Sequence, residues 1–354
     1  MKLNDPGDYA NLKKLGRKKY RWGHMMVQRN EKAVVTLAVG GHYTKRFLLH
    51  ARPTWESYCQ KYDYDLILLT EPIDKDCDFS RKSIHWQKLL IGLLPQLKEY
   101  RHLVWIDGDV IINYHLSPCI VSTLKENKIG AVDISSVFSR NDFIFNLHTR
   151  YLILNYIFCK IIDADTPKAI ITDGDLPFYY RRLGFRGKVG KFINTGVLVF
   201  DPNTYGRFLA ECYAKYEKDF MDYENTPLSY ELQSNDVVEF LNGKFNMIWA
   251  QVVAEHYPFL FNQETVKKNK GLFRLCANAA YHNSWFLHFA GGSGNPIVKS
   301  AFDLIDHPTA GVPDFVFPDF WPENSDLVEF CKLPDIDETR QRLGDEARTH
   351  MNLF

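Results

Sequence analysis

The sequence predicts an α/β fold with a mainly parallel central sheet flanked by helices. Between residues 33 and 130, short apolar runs alternate with stretches of helical periodicity, as in successive strand–helix–strand units. One apolar run, residues 103–112, is interrupted by Asp107-Gly108-Asp109. A buried carboxylate is costly unless it is paired or bound to a metal ion, and two carboxylates need a cation more than one does. We therefore predict a strand that ends at a divalent-cation site.

The elements of this half follow from their residue types. The strands are rich in β-branched and leucine residues, and the helices have apolar residues at helical spacing. Gly40-Gly41 stops the first strand, and Pro53 is a candidate break in the first helix. In parallel sheets the ligand lies beyond the carboxyl ends of the strands, where Gly40-Gly41 and the acidic pair both fall. In chain order the predicted elements are a strand at 33–39, a helix at 44–62, a strand at 65–70, a helix at 84–97 and a strand at 103–112.

The rest of the chain has a less regular pattern. Residues 137–190 are rich in aromatic and charged residues and show no clear periodicity. After residue 300, recurring prolines and acidic residues predict an extended segment over the surface that ends in a helix near residues 338–350. Between these regions, the predicted elements are a strand at 191–200, helices at 209–220 and 235–241, and a short strand at 285–289 that runs into Gly291-Gly292-Ser293-Gly294.

Composition bounds the class of protein. Of 354 residues, 45% are hydrophobic and 24% charged, and the net charge of zero gives no support for nucleic-acid binding. The seven cysteines are scattered, which argues against a zinc ribbon and a disulfide framework. Because no apolar leader and no membrane-length apolar stretch is present, we expect a cytoplasmic or otherwise soluble intracellular protein. The basic N-terminal segment leaves peripheral contact with an anionic membrane open.

The acidic pair and two later segments resemble known glycosyltransferases. An apolar strand that ends in Asp107-Gly108-Asp109, after a strand–helix start, resembles the GT-A-fold glycosyltransferases, which use nucleotide-sugar donors and hold the diphosphate through a metal on this motif. Residues 192–200, Phe-Ile-Asn-Thr-Gly-Val-Leu-Val-Phe, resemble the Phe-Asn-(Ser/Thr)-Gly-Val strand of the glycogenin-like family eight. Residues 288–291, His-Phe-Ala-Gly, resemble that family's His-x-x-Gly segment, whose histidine is the third metal ligand.

Two more segments are similar to such enzymes. The segment around Asp236, Gln-Ser-Asn-Asp-Val-Val-Glu-Phe-Leu, is similar to the Asp-Gln-Asp-containing helix start of family eight, with Asp236 as the matching residue. Residues 85–89, His-Trp-Gln-Lys-Leu, are similar to the Trp-x-Lys segment of the galactomannan and yeast-mannan galactosyltransferases, family thirty-four. The Lys-Pro-Trp that follows His-x-x-Gly in family eight is replaced by Gly294-Asn295-Pro296, which leaves Lys88 or Lys299 to contact the diphosphate.

The resemblance implies a metal, a donor site and a catalytic group. An imidazole among the metal ligands favours Mn²⁺ over Mg²⁺, which is the alternative cofactor. A side chain that faces the reacting sugar carbon would stabilise positive charge there rather than act as a strong base. The implied metal ligands are Asp107, Asp109 and His288, the implied catalytic residues are Asp236, Gln233 and Asn194, and the implied donor-binding residues are Leu37, Ala38, Val39, Tyr43, Lys88, Asp107, Gly108, Asp109 and Gly291.

Two other acidic pairs compete with the first one. Asp163-Ala164-Asp165 lies near a proline-containing turn, where short acidic side chains favour turn hydrogen bonds. Asp173-Gly174-Asp175 follows a weaker apolar run, and we expect it to line an acceptor cleft.

These observations together predict a metal-dependent enzyme. It would move a hexose or pentose from a nucleotide-diphosphate donor, a UDP-sugar, to a hydroxyl of a glycan or glycoconjugate, with retention of configuration. One alternative is a sugar-phosphate nucleotidyltransferase, and the other is a non-catalytic carbohydrate-binding protein on the same fold. The predicted organisation is a basic N-terminal extension at 1–32, a GT-A domain at 33–299 with a nucleotide-binding half at 33–130 and an acceptor-binding half at 131–299, and an acidic, Pro-containing extension at 300–354.

Overall fold

The computed structural model describes residues 12–14, 30–135, 180–261 without 182, 188 and 221, residues 268–290, and residue 305. The predicted C-terminal extension, most of the irregular region at 137–190, and the acidic pairs Asp163/Asp165 and Asp173/Asp175 lie outside the described residues. The strands are β1 Leu12–Lys14, β2 Lys32–Leu37, β3 Tyr64–Leu69, β4 His102–Ile106, β5 Val110–Ile112, β6 Ile129–Asp133, β7 Ile193–Phe200, β8 Val238–Leu241, β9 Met247–Ile248 and β10 Phe286–His288.

Helices cover both faces of the main sheet. Among the described helices, none is both long and apolar enough to cross a membrane. The α-helices are α1 Gly41–Arg46, α2 Arg52–Tyr62, α3 Pro202–Lys215, α4 Asn225–Ser234, α5 Trp249–His256 and α6 Lys270–Asn283. The shorter elements are a π-helix at Phe47–Ala51 and 3₁₀ helices at Ile84–Leu93, Val121–Thr123, Gly243–Asn246 and Pro258–Phe261.

The described strands form a seven-stranded and a three-stranded sheet. The larger sheet has the order β1-β3-β2-β4-β7-β6-β8, in which β2, β3, β4, β6 and β8 run in one direction and β1 and β7 in the other. This arrangement confirms the predicted α/β class with a mainly parallel central sheet. In the smaller sheet, β10 lies between β5, to which it is antiparallel, and β9, to which it is parallel.

The acidic pair divides the predicted strand 103–112 into two, so the prediction of one continuous strand was wrong. β4 ends at Ile106 in the main sheet, and β5 begins at Val110 in the smaller sheet. The turn between them is held by backbone hydrogen bonds from Val110 N to Asp107 O (3.1 Å) and from Asp107 N to Gly196 O (2.8 Å). Because the chain changes sheet at this turn, the two carboxylates stand where the sheets meet.

The predicted helix at 235–241 was also wrong. This stretch contains β8, which is parallel to β6, and the helix lies earlier, as α4. Asp236 has a left-handed backbone with φ 52°, which separates the end of α4 from the start of β8. Four residues of mixed polarity carry too little periodicity to distinguish a strand from a helix, and pairing with β6 decides the outcome.

The other predicted elements agree in type but differ in their bounds. The helix predicted at 44–62 is a run of α1, the π-helix and α2, with Pro53 in the first turn of α2, where a missing N–H costs least. The helix predicted at 84–97 is a 3₁₀ helix that ends at Leu93. The helix predicted at 209–220 begins earlier, at Pro202, because the Asp201 side chain caps it by accepting from Asn203 N (2.9 Å).

A hydrophobic core lies on each face of the main sheet. On one face α2, α5 and α6 contribute Trp55, Trp249 and Phe273, all nearly inaccessible to solvent. On the other face the 3₁₀ helix at 84–93 packs against α3 at a crossing of Gly92 with Gly206. A Cβ built on Gly206 would lie 2.6 Å from the carbonyl oxygen of Gly92, so glycine is required for this approach. The crossing holds Lys88, on the same 3₁₀ helix, under the carboxyl end of β4.

Replacing Gly206 by alanine should destabilise the protein, because the added methyl group has to push the two helices apart. We expect a loss of about 1–3 kcal/mol in the free energy of unfolding, the usual cost of overpacking. Urea denaturation followed by circular dichroism measures it. Gly243→Ala is the matched control, because nothing lies within 4 Å of a Cβ at that position. Equal midpoints for the two variants would contradict the close crossing.

Candidate functional site

Three metal-binding side chains converge where the two sheets meet. Asp107 and Asp109 flank Gly108 in the turn between β4 and β5, and His288 is the last residue of β10. His288 Nε2 lies 3.3 Å from Asp109 Oδ1 and 3.9 Å from Asp107 Oδ2. One ligand atom from each residue lies within 4.8 Å of the others. The structure therefore brings together all three predicted metal ligands.

The spacing of these ligand atoms suits a single divalent cation. In an octahedral site with bonds of about 2.1 Å, neighbouring ligand atoms lie about 3 Å apart and opposite ones about 4.2 Å apart. The separations of 3.3 and 3.9 Å at His288 Nε2 fall between these values. Two carboxylates and one imidazole form a donor set that Mn²⁺ accepts more readily than Mg²⁺ does. The residues present therefore fit the predicted cofactor.

Asp107 is fixed by a buried lysine and a tryptophan. Its Oδ1 accepts from Lys88 Nζ (2.9 Å) and from Trp105 Nε1 (2.7 Å), which leaves Oδ2 on the side of His288. Burial alone would raise the pKa of Asp107, but the positive charges of Lys88, His288 and His85, with the hydrogen bond from Lys88, together hold this pKa below its usual range. Asp107 is therefore ionised at neutral pH and available to a cation.

Lys88, a predicted donor contact, is buried among acceptors of the protein itself. Its side chain is 1% exposed, and its ammonium lies 2.9 Å from both Asp107 Oδ1 and Glu224 Oε1 and 3.3 Å from Thr195 O. Burial tends to lower the pKa of Lys88, but Asp107 and Glu224 hold it above the ordinary range. Three acceptors satisfy its three N–H bonds, so Lys88 acts as a fixed internal counter-charge.

Sequence reasoning missed the segment Asp222-Tyr223-Glu224-Asn225, which precedes and begins α4. Glu224 is 2% exposed and accepts a short hydrogen bond from Thr195 Oγ1 in addition to its ion pair with Lys88. Its other oxygen, Oε2, has no hydrogen-bond partner in the described part of the chain. Tyr223 has a left-handed backbone with φ 61°, and strain of this kind is concentrated at functional sites. Two acids and an amide just before Pro227, at a helix start, were the available signal.

Asp222 adds a second unusual carboxyl group to this segment. Its Oδ1 accepts from Thr226 N (3.3 Å) and its Oδ2 from Thr226 Oγ1 (2.7 Å). Burial is the main cause that raises its pKa to about 7, and the neighbouring carboxylate of Glu224 raises it further. Asp222 therefore changes its protonation state near neutral pH.

The three predicted catalytic residues do not lie together. Asp236 is on the opposite edge of the main sheet, before β8, with a 92% exposed side chain that pairs with Lys128 at 3.2 Å. Gln233 donates to Lys191 O (2.8 Å) and Ser229 O (2.9 Å), which ties α4 to the chain entering β7. Asn194 does lie beside the metal cluster, near the start of β7. Asp236 therefore lies away from the metal cluster, because β8 begins at the amino edge of the sheet.

Most of the predicted donor-binding residues lie at the carboxyl edge. Leu37 ends β2, and Ala38 donates from its backbone to Leu69 O (2.9 Å), so residues 37–39 continue β2 beside β3. Tyr43 is 57% exposed on α1, which follows directly. A Cβ built on Gly108 would lie 3.7 Å from Thr36 Oγ1, so the acidic turn is close to the end of β2. Gly291 lies outside the described residues.

No protein-family model matches this sequence, and no curated protein matches it. Among solved structures, one similar chain is a glycosyltransferase involved in the glycosylation of the major capsid of PBCV-1, with 12% identity, a TM-score of 0.42, and 76% of this chain and 98% of that chain covered. The galactosyltransferase LgtC, solved with donor and acceptor sugar analogues, has 12% identity and a TM-score of 0.40, with 77% and 94% covered. The bifunctional WbbM has 13% identity and a TM-score of 0.43, with 80% of this chain and 53% of that chain covered. At these TM-scores, the function has to be derived from the chain's own residues.

Replacing Lys88 by methionine should destabilise the protein strongly, because Asp107 and Glu224 would lose the charge that they share. Removing one partner of a buried ion pair costs about 3–5 kcal/mol. Urea denaturation at neutral pH measures the loss. Lys98→Met changes an exposed lysine and should leave the midpoint nearly unchanged. A stable Lys88→Met protein would show that the two carboxylates are not ionised around Lys88.

Asp222→Asn should raise the free energy of unfolding relative to wild type, and this increase should become larger as the pH rises. The folded protein holds the Asp222 proton up to about pH 7, whereas an unfolded chain releases it at about pH 4. Wild-type stability therefore falls as pH rises between these values, by at most about 1.4 kcal/mol per unit from this group, and stays lower above them. Asparagine keeps the acceptor for Thr226 N and has no charge to lose.

Unfolding free energies of both proteins at pH 4, 6 and 8 test this dependence. We expect the difference between Asp222→Asn and wild type to grow toward pH 8. Exposed Asp76→Asn should show no such trend. A difference that does not vary with pH would contradict the raised pKa.

Proposed function

We propose that this chain is a metal-dependent glycosyltransferase of the GT-A type. It would transfer a hexose or pentose from a UDP-sugar to a hydroxyl of a glycan or glycoconjugate. The observation that carries the proposal is the convergence of Asp107, Asp109 and His288 at the carboxyl edge of a mainly parallel sheet. That edge is where α/β proteins bind nucleotides and other ligands.

The charge of the cluster supports a divalent cation and a phosphate ligand. The ammonium of Lys88 is shared by the carboxylates of Asp107 and Glu224, and Asp109 adds a third carboxylate beside His288, so these three acids outnumber the one lysine by two charges. A bound Mn²⁺ would supply Lewis-acid stabilisation of the negative charge that develops on a departing nucleoside diphosphate. Lys88 and Trp105 would keep Asp107 in the orientation that binding requires, because both donate to its Oδ1.

The donor nucleotide would lie over the ends of β2 and β4. Gly108 carries no side chain, and its backbone lies close to Thr36 and Phe47, so the acidic turn borders the end of β2. Tyr43 is an exposed aromatic ring on the helix that follows β2, and stacking on a base is a suitable role for it. These positions support the proposed donor contacts of Leu37, Ala38, Val39 and Tyr43.

Glu224 is the group that we place nearest the reacting sugar carbon, instead of Asp236. It joins the metal cluster through Lys88, and its buried Oε2 has no partner in the described residues. A buried carboxylate oxygen without a partner is costly, so a substrate that hydrogen bonds to it would bind with less desolvation loss. Its negative charge would stabilise positive charge on the sugar ring in the transition state. Asn194 stays a proposed contact at the same edge.

The choice of UDP, of retention and of a glycan acceptor rests on the resemblance of residues 192–200, the segment around Asp236 and residues 288–291 to family eight, and of residues 85–89 to family thirty-four. Of the residues in these segments, Asn194 and His288 lie beside Asp107 at the carboxyl edge. A sugar-phosphate nucleotidyltransferase would need basic residues in a glycine-rich loop after β2. Here Gly40 is followed directly by α1, Gly41–Arg46, in which Lys45 and Arg46 of the last turn are the basic residues.

Asp109→Asn should weaken metal binding and abolish transfer while leaving the fold intact. The Asp109 side chain is 38% exposed, and its ion pair among the described residues is the one with His288, so we expect activity rather than stability to be lost. We expect Mn²⁺ binding to weaken by about 10-fold or more and turnover of a UDP-sugar to fall below detection. Asp63→Asn is the matched control, since Asp63 lies at the amino edge of the sheet and asparagine tolerates its left-handed backbone of φ 56°.

The donor class can be tested by thermal denaturation with Mn²⁺ and UDP-, GDP- or CDP-sugars, because a ligand that binds only the folded state raises the melting temperature. The proposal expects the largest increase with a UDP-sugar, and release of UDP in the presence of an acceptor. Release of pyrophosphate from UTP and a sugar phosphate would instead identify a nucleotidyltransferase. Binding without any turnover would identify a non-catalytic carbohydrate-binding protein.

A further inference from the structure

A buried asparagine stands directly behind the histidine of the metal cluster. Asn246, the last residue of the 3₁₀ helix at 243–246, is 1% exposed, and its Oδ1 lies 2.7 Å from His288 Nδ1. Its Nδ2 donates to Asn194 Oδ1 (2.8 Å) and to Asn194 O (3.2 Å). The chain of hydrogen bonds therefore runs from the start of β7 through Asn246 to the ring of His288.

The direction of each hydrogen bond in this chain is fixed by backbone groups. The N–H of Gly196 can only donate, and it donates to Asn194 Oδ1 (3.0 Å), so this oxygen is an acceptor. The backbone carbonyl of Asn194 can only accept, and it accepts from Asn246 Nδ2, the atom that also lies next to Asn194 Oδ1. The Asn246 NH₂ group must then face Asn194, and its carbonyl oxygen must face His288. That oxygen can only accept, so His288 Nδ1 must carry the proton.

We propose that Asn246 is a positioning residue that holds His288 in the Nδ1–H tautomer. The unprotonated Nε2 is then the atom that lies 3.3 Å from Asp109 Oδ1 and 3.9 Å from Asp107 Oδ2, with its lone pair toward the cluster. A histidine ligates a metal through an unprotonated nitrogen, and the other ring nitrogen usually donates to an orienting group. This inference rests on the metal site of the proposed function, and it adds the residue that prepares His288 before any cation binds.

Packing restricts the ring in addition to the hydrogen bond. A Cβ built on Gly196 would lie 2.3 Å from His288 Cε1 and 2.8 Å from Asn194 Oδ1. The absence of a side chain at Gly196 therefore lets the ring and the Asn194 amide lie next to each other. Since His288 is itself 2% exposed, a rotated ring has no free space on this side.

The first experiment measures the tautomer in the metal-free protein. Histidines are labelled with ¹⁵N, and the ring nitrogens are observed by NMR at about pH 8, above the ordinary histidine pKa. The signal of His288 is identified by its loss in His288→Gln. In wild type we expect a protonated Nδ1 and an unprotonated Nε2. A protonated Nε2, or a mixture of the two forms, would overturn the inference whatever the metal does.

The second experiment measures Mn²⁺ affinity by electron paramagnetic resonance in three variants. Asn246→Leu removes the acceptor at similar size, and we expect affinity to fall by about 10–100-fold. Asn246→Asp keeps the acceptor for His288 Nδ1 and replaces the donor to Asn194 with a second acceptor, so affinity should exceed that of Asn246→Leu. Asn113→Leu is the matched control: Asn113 is also 1% exposed and donates to Tyr281 O (3.2 Å), away from the cluster.

The outcomes separate this inference from the proposed function. If wild type binds Mn²⁺ and Asn246→Leu binds it equally well, Asn246 does not position the ligand and the proposed function survives. If Asn246→Leu and Asn113→Leu lose affinity to the same extent, the effect is general destabilisation, and the inference is wrong. If wild type binds no Mn²⁺, the proposed metal site fails, and the NMR result alone decides the tautomer.

Discussion

Asp107 directly follows β4, at the turn where the chain passes from the larger sheet into the smaller one. The ammonium of Lys88 holds the Asp107 carboxylate in this position. Lys88 is almost fully buried and lies 2.9 Å from both Asp107 and Glu224. Ions that have lost their hydration are stable only with their partners in place. This buried triad of Lys88, Asp107 and Glu224 therefore fixes the 3₁₀ helix at 84–93, the end of β4 and the start of α4 relative to one another. The other groups of the site are positioned relative to this triad.

The smaller sheet completes the site from the other side. β10 pairs with β5 so that His288 lies opposite Val110, one residue beyond Asp109. The same strand pairs with β9, with His288 opposite Ile248, and Asn246 directly precedes β9, so its side chain reaches the ring of His288. The larger sheet thus supplies a carboxylate with a buried counter-charge, and the smaller sheet supplies an oriented imidazole. Neither sheet has the three ligands by itself.

The errors of the sequence-based predictions have a common cause. Residues 103–106 and 110–112 are all apolar, so their local pattern cannot show that Ile106 and Val110 belong to different sheets. Residues 238–241 form a strand because β6 lies beside them, although β6 is distant in the chain. The position assigned to Asp236 depended on a helix there, and it failed with that helix. The early start of α3 at Pro202 is an error of a different kind, because its signal, the capping residue Asp201, is local in the sequence.

The sequence by itself determined the α/β class, most of the strands and the three residues that could bind a metal, because apolar periodicity and a pair of acids in an apolar run are local properties. Only the tertiary structure showed that Lys88 is an internal counter-charge, that Glu224 shares it with Asp107 and that the Asn246 side chain contacts the ring of His288. Those roles depend on which groups meet across the sheets. A charge or a hydrogen bond acts through space, so its partner cannot be identified from its neighbours in the chain.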